Sequence, residues 1–264
     1  MDTRFWGPSG WRLLHSITFA YSPRTDKMAV RVMFDSLPFV LPCKFCRASL
    51  QEYMEADPLE PALESRISLT RWLWRIHNNV NDKLRGQGTP VEPNPPFEKV
   101  AEFYKSLLAT GCSKTEFHGW DFLFSVADLH PMSKVARSSI PIPGHPPCET
   151  IQTAKEKNRW NCLSPQERLA HYRLFWMALG LTLPFPLWRK SWVSHGSFSS
   201  ESGGFESRDA TMKWLWGIRC AMESDLDLIN RCQYSSLCKT LKTYRSGCSK
   251  SKRARTCRKN RNTK

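Results

Sequence analysis

Residues 68–86 of the chain read SLTRWLWRIHNNVNDKLRG. Apolar side chains recur along this stretch at the spacing of one helix face: Leu69, Leu73, Ile76, Val80 and Leu84. The pattern predicts a helix that starts at an N-cap Ser68 and ends near Gly86. Polar side chains lie within it, because His77 and Asn81 share one face and Asn78 lies beside Asn81.

These polar residues predict a ligand. Asparagine is a mediocre helix former, and a buried amide without partners costs about 1–3 kcal/mol. A single histidine on an apolar helix more often satisfies its hydrogen bonds within the core. In the company of Asn78 and Asn81, however, His77 favours a polar, planar ligand that lies between helices.

Three further helices are predicted before this one, at residues 10–21, 29–34 and 43–54. Trp11 and His15 lie one turn apart on the first. The second is closed by Leu37 and Pro38, and the third is entered through Pro42. Four short helices of this kind predict a compact antiparallel bundle.

The third helix carries a CxxC pair, Cys43 and Cys46, in its first turn. A helix N-terminus stabilises a thiolate, and Lys44 and Arg47 add positive charge. The alternatives are half of a zinc site or a buried structural pair. A zinc site needs two more ligands, and no other cysteines repeat this spacing. The pair therefore favours redox chemistry.

Charge is concentrated at the end of the chain. The 264 residues carry a formal net charge of +15, and 41% of them are hydrophobic, which excludes global disorder. Residues 248–264 hold eight Lys or Arg and no acidic residue, so we expect a basic, disordered tail. Such a tail suits nucleic acid, an anionic membrane or an acidic partner, and charge alone does not choose among them.

Neither a secretory signal nor a transmembrane segment is visible, because no apolar run approaches the roughly 20 residues that span a bilayer. We therefore expect a soluble chain that is not secreted. Ten cysteines in such a chain favour redox or metal chemistry over a disulfide scaffold. Four carry no pairing signal: Cys112, Cys148, Cys162 and Cys220.

The stretch GQGTPVEPNPP predicts a linker, placed at residues 87–97, between a first domain at 1–86 and a second helical domain at 98–247. Helices in the second half are predicted at residues 97–108, 120–127, 165–181 and 209–222.

The second half repeats features of the first in the same order. Gly10-Trp11, which we expect to open the first helix, recurs as Gly119-Trp120; Leu37-Pro38-Phe39 recurs as Leu183-Pro184-Phe185; and Trp72-Leu73-Trp74 recurs as Trp214-Leu215-Trp216. We interpret this as a degenerate duplication, against the alternative of a shared helical bias in a tryptophan-rich chain. The second copy has Phe124 for His15 and Arg219 for His77, which predicts a scaffold or recognition domain without chemistry of its own.

The first segment resembles the Erv/ALR family of FAD-linked sulfhydryl oxidases, and most closely the branch found in large DNA viruses. The match spans roughly residues 4–86 and rests on Gly7, Trp11, Leu14, His15, Cys43, Cys46, Tyr53, His77, Asn78, Val80, Asn81 and Leu84. The resemblance implies an all-α protein in which an FAD-binding four-helix bundle precedes a second, mostly helical domain.

The resemblance also implies roles for single residues. FAD would be surrounded by Gly7, Trp11, His15, Tyr53, Trp74, His77, Asn78, Val80, Asn81 and Lys83. Cys46 would be the thiol nearest the flavin, and Cys43 would exchange with incoming protein dithiols. The dithiols would become disulfides, and their electrons would pass through FAD to O2 and give H2O2.

Two positions depart from the cellular pattern, because Trp74 and Ser49 stand where relatives often have cysteine and histidine. Many relatives also carry a shuttle disulfide that relays electrons from bulky substrates. The candidates here are Cys232 with Cys238, and Cys248 with Cys257 in the tail; idle thiols are the alternative.

The resemblance places the chain in the host cytoplasm, the viral factory and the virion, where it would oxidise virion proteins. It implies a homodimer, although the second half could instead supply the partner face within one chain. The competing hypothesis is a basic virion or nucleic-acid-binding protein in which the CxxC is structural and the tail makes the contacts.

Overall fold

A computed structural model describes residues 1–133, 140–196 and 205–245 of the chain. The elements in these ranges are helices, and no strand occurs among them. They are α1 (Thr3–Ala20), α2 (Lys27–Val40), α3 (Lys44–Ala56), α4 (Leu59–Ala62), α5 (Arg66–Gly86), α6 (Phe97–Ala109), α7 (Trp120–Asp128), α8 (Ala154–Trp160), α9 (Pro165–Thr182), α10 (Pro186–His195), α11 (Arg208–Asp225) and α12 (Tyr234–Arg245). The all-α prediction is confirmed.

Two helices extend further than predicted because prolines do not end them. Helix α1 begins at Thr3, capped by the Asp2 side chain, and contains Pro8, so Gly10-Trp11 lies in its interior and does not open it. Helix α2 runs on to Val40 with Pro38 inside its last turn. A proline there removes a single amide hydrogen bond, and the packing of a buried helix outweighs that loss.

Helix α5 begins three residues earlier than predicted. Ser65 is its N-cap, and its hydroxyl accepts a hydrogen bond from the Ser68 amide at 3.1 Å, while the Ser68 hydroxyl accepts one from the Ser65 amide at 3.1 Å. Ser68 thus takes the place that Glu or Gln usually holds in a capping box. The assignment of Ser68 as the N-cap is wrong for this reason.

The predicted linker is folded back along α5. The Trp74 indole donates to the Pro95 carbonyl at 3.0 Å, and the Asn81 amide donates to Asn94 Oδ1 at 3.1 Å. Helix α6 then packs on α1, where Tyr104 stacks near both Phe19 and His15. The segment after α5 therefore positions α6 on the first bundle.

The two halves share one hydrophobic core. Helix α2 packs against α9, and α1 packs against α7. Gly10 permits the second contact, because a Cβ on this residue would lie 3.2 Å from the Phe122 ring. Hydrophobic packing is continuous across the predicted domain boundaries at residues 86 and 98. The boundaries therefore stay a prediction.

Several repeated sequence features have equivalent places in the fold. Ser65 caps α5, and Ser207 caps α11 in the same way. Leu73 on α5 and Leu215 on α11 are both buried. The pairs α1 with α7 and α2 with α9 place the proposed equivalents against each other, as a fused dimer would. These contacts support a degenerate duplication.

Part of the sequence predictions lies outside the described residues. These are the basic tail at 248–264 and, within it, Cys248 and Cys257. Nucleic-acid binding through the tail therefore stays a prediction.

Among the helices in the described ranges, none has the length and apolar composition that a membrane crossing requires.

We predict that Asp128→Asn destabilises the fold by about 3 kcal/mol. Asp128 is fully buried at the end of α7 and accepts hydrogen bonds from Arg208 Nε at 2.9 Å and from Arg245 Nε at 2.8 Å. Removing the carboxylate leaves two guanidinium groups without their shared counter-charge. Chemical denaturation measures the change, and Asp209→Asn, an exposed partner of Arg208, should cost far less.

Candidate functional site

The CxxC pair lies at the N-terminus of α3, as predicted. Cys43 is the N-cap residue with an extended backbone, and its carbonyl accepts the Arg47 amide at 3.0 Å. Cys46 lies in the first helical turn. Cys43 is buried, whereas Cys46 is partly exposed. The helix dipole favours a negative sulfur at this end.

Arg47 brings a buried positive charge next to both sulfurs. Its guanidinium donates to the Leu41 carbonyl and to Asn161 Oδ1, each at 3.0 Å. Burial lowers the pKa of Arg47, and the neighbouring Cys43 and Cys46 act in the opposite direction. Because an arginine stays charged even when its pKa falls, this group supports a thiolate on either cysteine.

Helices α1 and α5 are joined by aromatic and imidazole groups. Trp11 stacks on His77 with ring centroids 3.9 Å apart, and His15 Nε2 lies 3.1 Å from His77 Nδ1. Burial holds the pKa of His15 well below its usual value, and it lowers that of His77 to about 4. Both rings are therefore neutral near pH 7, and one donates its N–H to the other.

A cavity of about 1010 Å³ opens between these elements. Its volume lies at the upper end of the roughly 300–1,000 Å³ that is typical of small-molecule sites. The described residues from the first half that line it include Gly7, Trp11, Cys46, Ser49, His77, Val80, Asn81 and Lys83. Cys46 faces this space, whereas Cys43 is not among the lining residues.

Four residues that the resemblance placed around a ligand do not line the cavity. His15 lies behind His77, and the Tyr53 hydroxyl donates to the Asn79 carbonyl at 3.3 Å. Trp74 faces the start of α6, where its ring packs against Phe97. Asn78 is likewise absent from the wall. His15 therefore supports the wall indirectly, because its hydrogen bond fixes the orientation of the His77 ring.

The second half supplies much of the wall, which sequence reasoning missed. The lining residues from this half include Phe117, His118, Trp120, Asp121, Phe122, Arg219, Asn230 and Cys232. The repeated Gly-Trp pair could have indicated this, because Trp120 is the counterpart of Trp11. Arg219, the counterpart of His77, lies 5.3 Å over the Trp120 ring and so repeats the stacking of the first copy.

The remaining cysteines differ from expectation in one respect. Cys148 and Cys162, which carry no pairing signal in the sequence, form a disulfide with a Cα–Cα distance of 6.0 Å. The pairing was not predictable because helix α8 and the turns around it, which lie between the two cysteines, decide how close they come. Cys232 and Cys238 are both free thiols, and Cys232 lies on the cavity wall. A shuttle through this second pair stays a prediction.

The site combines a dithiol at a helix N-terminus with a large aromatic cavity inside a helical bundle. These features define a class of protein in which a dithiol lies beside a site for a planar ligand. Residues 8–100 match the sequence model of the Erv1/Alr family. The N-terminal part of the chain is therefore similar to this family.

Relatives of the matched segment come from viruses and from cellular organisms. A protein of Acanthamoeba polyphaga mimivirus named "Probable FAD-linked sulfhydryl oxidase R368" is 34% identical over 85 residues, which are 31% of this chain and 59% of that protein. The mitochondrial FAD-linked sulfhydryl oxidase ERV1 of Saccharomyces cerevisiae is 34% identical over 87 residues, 32% of this chain and 45% of its own length. A relative from Invertebrate iridescent virus 3 is 30% identical over 87 residues, with shares of 32% and 59%.

The chain thus spans about half the length of the curated relatives it matches. No solved structure matches it. The similarity is confined to the first bundle, so the second half of the chain and its share of the cavity wall have no counterpart in these comparisons.

We predict that His77→Gln flattens the acid dependence of stability. The pKa of His77 falls from its usual 6.5 to about 4 on folding, so the unfolded chain binds an extra proton between these values. The folded state therefore loses stability as the pH falls from about 6.5 to about 4. Urea unfolding across this range should give a shallower pH slope for the variant than for the wild type. An unchanged slope in His77→Gln would contradict the buried neutral pair.

Proposed function

We propose that the chain is an FAD-dependent thiol oxidase that converts protein dithiols into disulfides. The observation that carries the proposal is the position of Cys46, which faces the same cavity as the Trp11–His77 stack. The names of the relatives supply the cofactor and the reaction class. FAD, when bound, takes up the two electrons of the Cys43/Cys46 dithiol and delivers them to O2, which becomes H2O2.

The residues present fit such a cofactor. The wall offers flat aromatic surfaces on which a ring system can stack. It also presents a buried donor without a partner among the described residues, Trp6 Nε1, and a second one, Trp120 Nε1. Arg12 and Lys83 add positive charge that suits a diphosphate. Unpaired donors in an apolar wall cost free energy, which a bound polar ligand recovers.

Each residue near the dithiol has a definite task. Cys46 is the thiol that reacts on the cavity side, and Cys43 exchanges with the incoming thiol. Arg47 stabilises the thiolate form of both. Lys83 donates a hydrogen bond to the Ser49 hydroxyl and holds a positive charge on the wall close to α3. The neutral His15–His77 pair keeps the Trp11 ring in place at the opposite side.

Two of the relatives are viral proteins, which supports a viral setting for this chain. We infer that the dithiols belong to virion proteins and that oxidation takes place in the host cytoplasm or the viral factory. A glutathione-buffered compartment opposes disulfides, so the oxidase must be driven kinetically by O2. The homodimer stays a prediction, and the packing of α1 on α7 and of α2 on α9 supports the alternative of a dimer fused within one chain.

We predict that Cys46→Ala abolishes turnover but keeps the flavin. The purified wild-type chain should be yellow and release H2O2 with dithiothreitol, and the variant should lose at least about 100-fold in rate because the electron path to the cavity is cut. Flavin content by absorbance and peroxide by a coupled assay give the two readouts. Cys112→Ala is the matched control, since this cysteine does not line the cavity and should leave both readouts unchanged.

A correctly folded wild-type chain that stays colourless in excess FAD would end this proposal. So would a Cys46→Ala variant that oxidises dithiothreitol at the rate of the wild type.

A further inference from the structure

The outer cysteine of the CxxC pair is poorly accessible. Cys43 is only 9% exposed, and its partner Cys46 faces the cavity. A thiol on a bulky polypeptide needs in-line access to one sulfur of the pair. The structure does not offer that access at Cys43 without movement, so protein substrates need another point of entry.

A disulfide that has no role in the proposed reaction so far lies beside α3, the helix that carries the CxxC pair. Cys148 and Cys162 are bonded to each other, and both are partly exposed. Helix α8, which precedes Cys162, packs along α3, and Arg159 on it pairs with Glu52 at 3.2 Å. The disulfide is therefore anchored to the helix that carries the CxxC.

Hydrogen bonds lead from this disulfide to the first turn of α3. Asn161, the neighbour of Cys162, accepts from the Arg47 guanidinium at 3.0 Å and donates to the Ile140 carbonyl at 2.9 Å. Lys44 donates to that same carbonyl at 3.0 Å. Asn161 has a left-handed backbone with a φ of 59°, which turns the chain sharply at the end of α8.

A histidine accompanies the disulfide. His145 Nδ1 lies 2.7 Å from the Pro146 carbonyl, to which it must donate, and 3.9 Å from Cys148 Sγ. When the disulfide opens, the Nδ1–H can turn from the Pro146 carbonyl to the Cys148 sulfur and stabilise the thiolate that leaves. Cys148 is thus the better leaving group of the pair, and Cys162 is the sulfur that an incoming thiolate attacks.

We propose that Cys148–Cys162 is the relay disulfide through which protein dithiols reduce the Cys43/Cys46 pair. This inference rests on the proposed thiol oxidase function and names a pair other than Cys232/Cys238 and Cys248/Cys257. The segment from 141 to 153, which holds only a short 3-10 turn at Cys148–Thr150, moves to bring Cys148 to Cys43.

The exchange balances in two steps. A substrate thiolate attacks Cys162, Cys148 leaves as a thiolate, and the second substrate thiol displaces Cys162, so the substrate gains a disulfide and the pair gains two electrons and two protons. The Cys148 thiolate then attacks Cys43 of an oxidised Cys43–Cys46 pair and releases Cys46. Cys162 displaces Cys43, which restores Cys148–Cys162 and leaves Cys43/Cys46 reduced for reoxidation by the flavin and O2.

The first test compares two substrates. In the Cys148→Ser/Cys162→Ser variant, the ratio of the rate with a reduced, unfolded protein to the rate with dithiothreitol should fall at least about tenfold, because the small dithiol reaches Cys43 without the relay. Cys220→Ser, an exposed cysteine away from the cavity wall, is the control and should keep the wild-type ratio. An unchanged ratio in the double variant, or a loss confined to Cys232→Ser/Cys238→Ser, would overturn the relay. A wild type inactive toward dithiothreitol would instead refute the oxidase function itself.

The second test leaves the disulfide intact and so does not depend on the folding of the double variant. In Cys46→Ser the CxxC pair cannot close, so the Cys43 thiolate attacks the intact relay disulfide and displaces one of its two sulfurs as a thiolate. Alkylation blocks the displaced thiol, and mass spectrometry should then find Cys43 joined to Cys148 or to Cys162. Absence of any link between Cys43 and either relay cysteine would refute the proposal. So would a reduced chain that binds zinc tightly through His145, Cys148 and Cys162, whose ligand atoms lie within 4.8 Å of one another.

Discussion

The contact between His15 and His77 is the interaction on which the site depends. It joins α1 to α5 through a 3.1 Å hydrogen bond between two neutral imidazoles, and it places His77 flat against Trp11. Neutrality follows from burial, which lowers the pKa of both rings. Burial opposes a charge on either ring, and a charge on both would place two like charges in direct contact, so the pair is neutral near pH 7. This contact holds the Trp11–His77 side of the cavity wall in place.

The second half contributes part of the wall of the same cavity. Where the first copy has His77 against Trp11, the second has Arg219 over Trp120, and Phe124 stands for His15. Trp120 and Phe122 on this side of the cavity also belong to the core that both halves share. The CxxC pair lies on the side of the first half, at the start of α3. This difference between the two halves favours a single flavin-coupled dithiol in each chain.

The sequence predicted the first bundle well because its signals are local. Helical periodicity, the CxxC at a helix start and the polar face of α5 depend on residues a few positions apart. The predicted helix ends were wrong at Pro38 and Ser68, where tertiary packing and a reciprocal cap outweighed residue propensity. The share of the second half in the cavity and the Cys148–Cys162 disulfide depend on contacts between distant segments, which no local pattern encodes.

The central claim is that Cys46 is the electron donor on the cavity side. Anaerobic rapid mixing of the flavin-loaded chain with dithiothreitol tests it most directly, because O2 and product release play no part. The account predicts that the flavin absorbance of the wild type is bleached, while Cys46→Ser binds the flavin and stays oxidised on the same timescale. Bleaching of both proteins at equal rates would show that electrons reach the cavity without Cys46, and it would contradict the account.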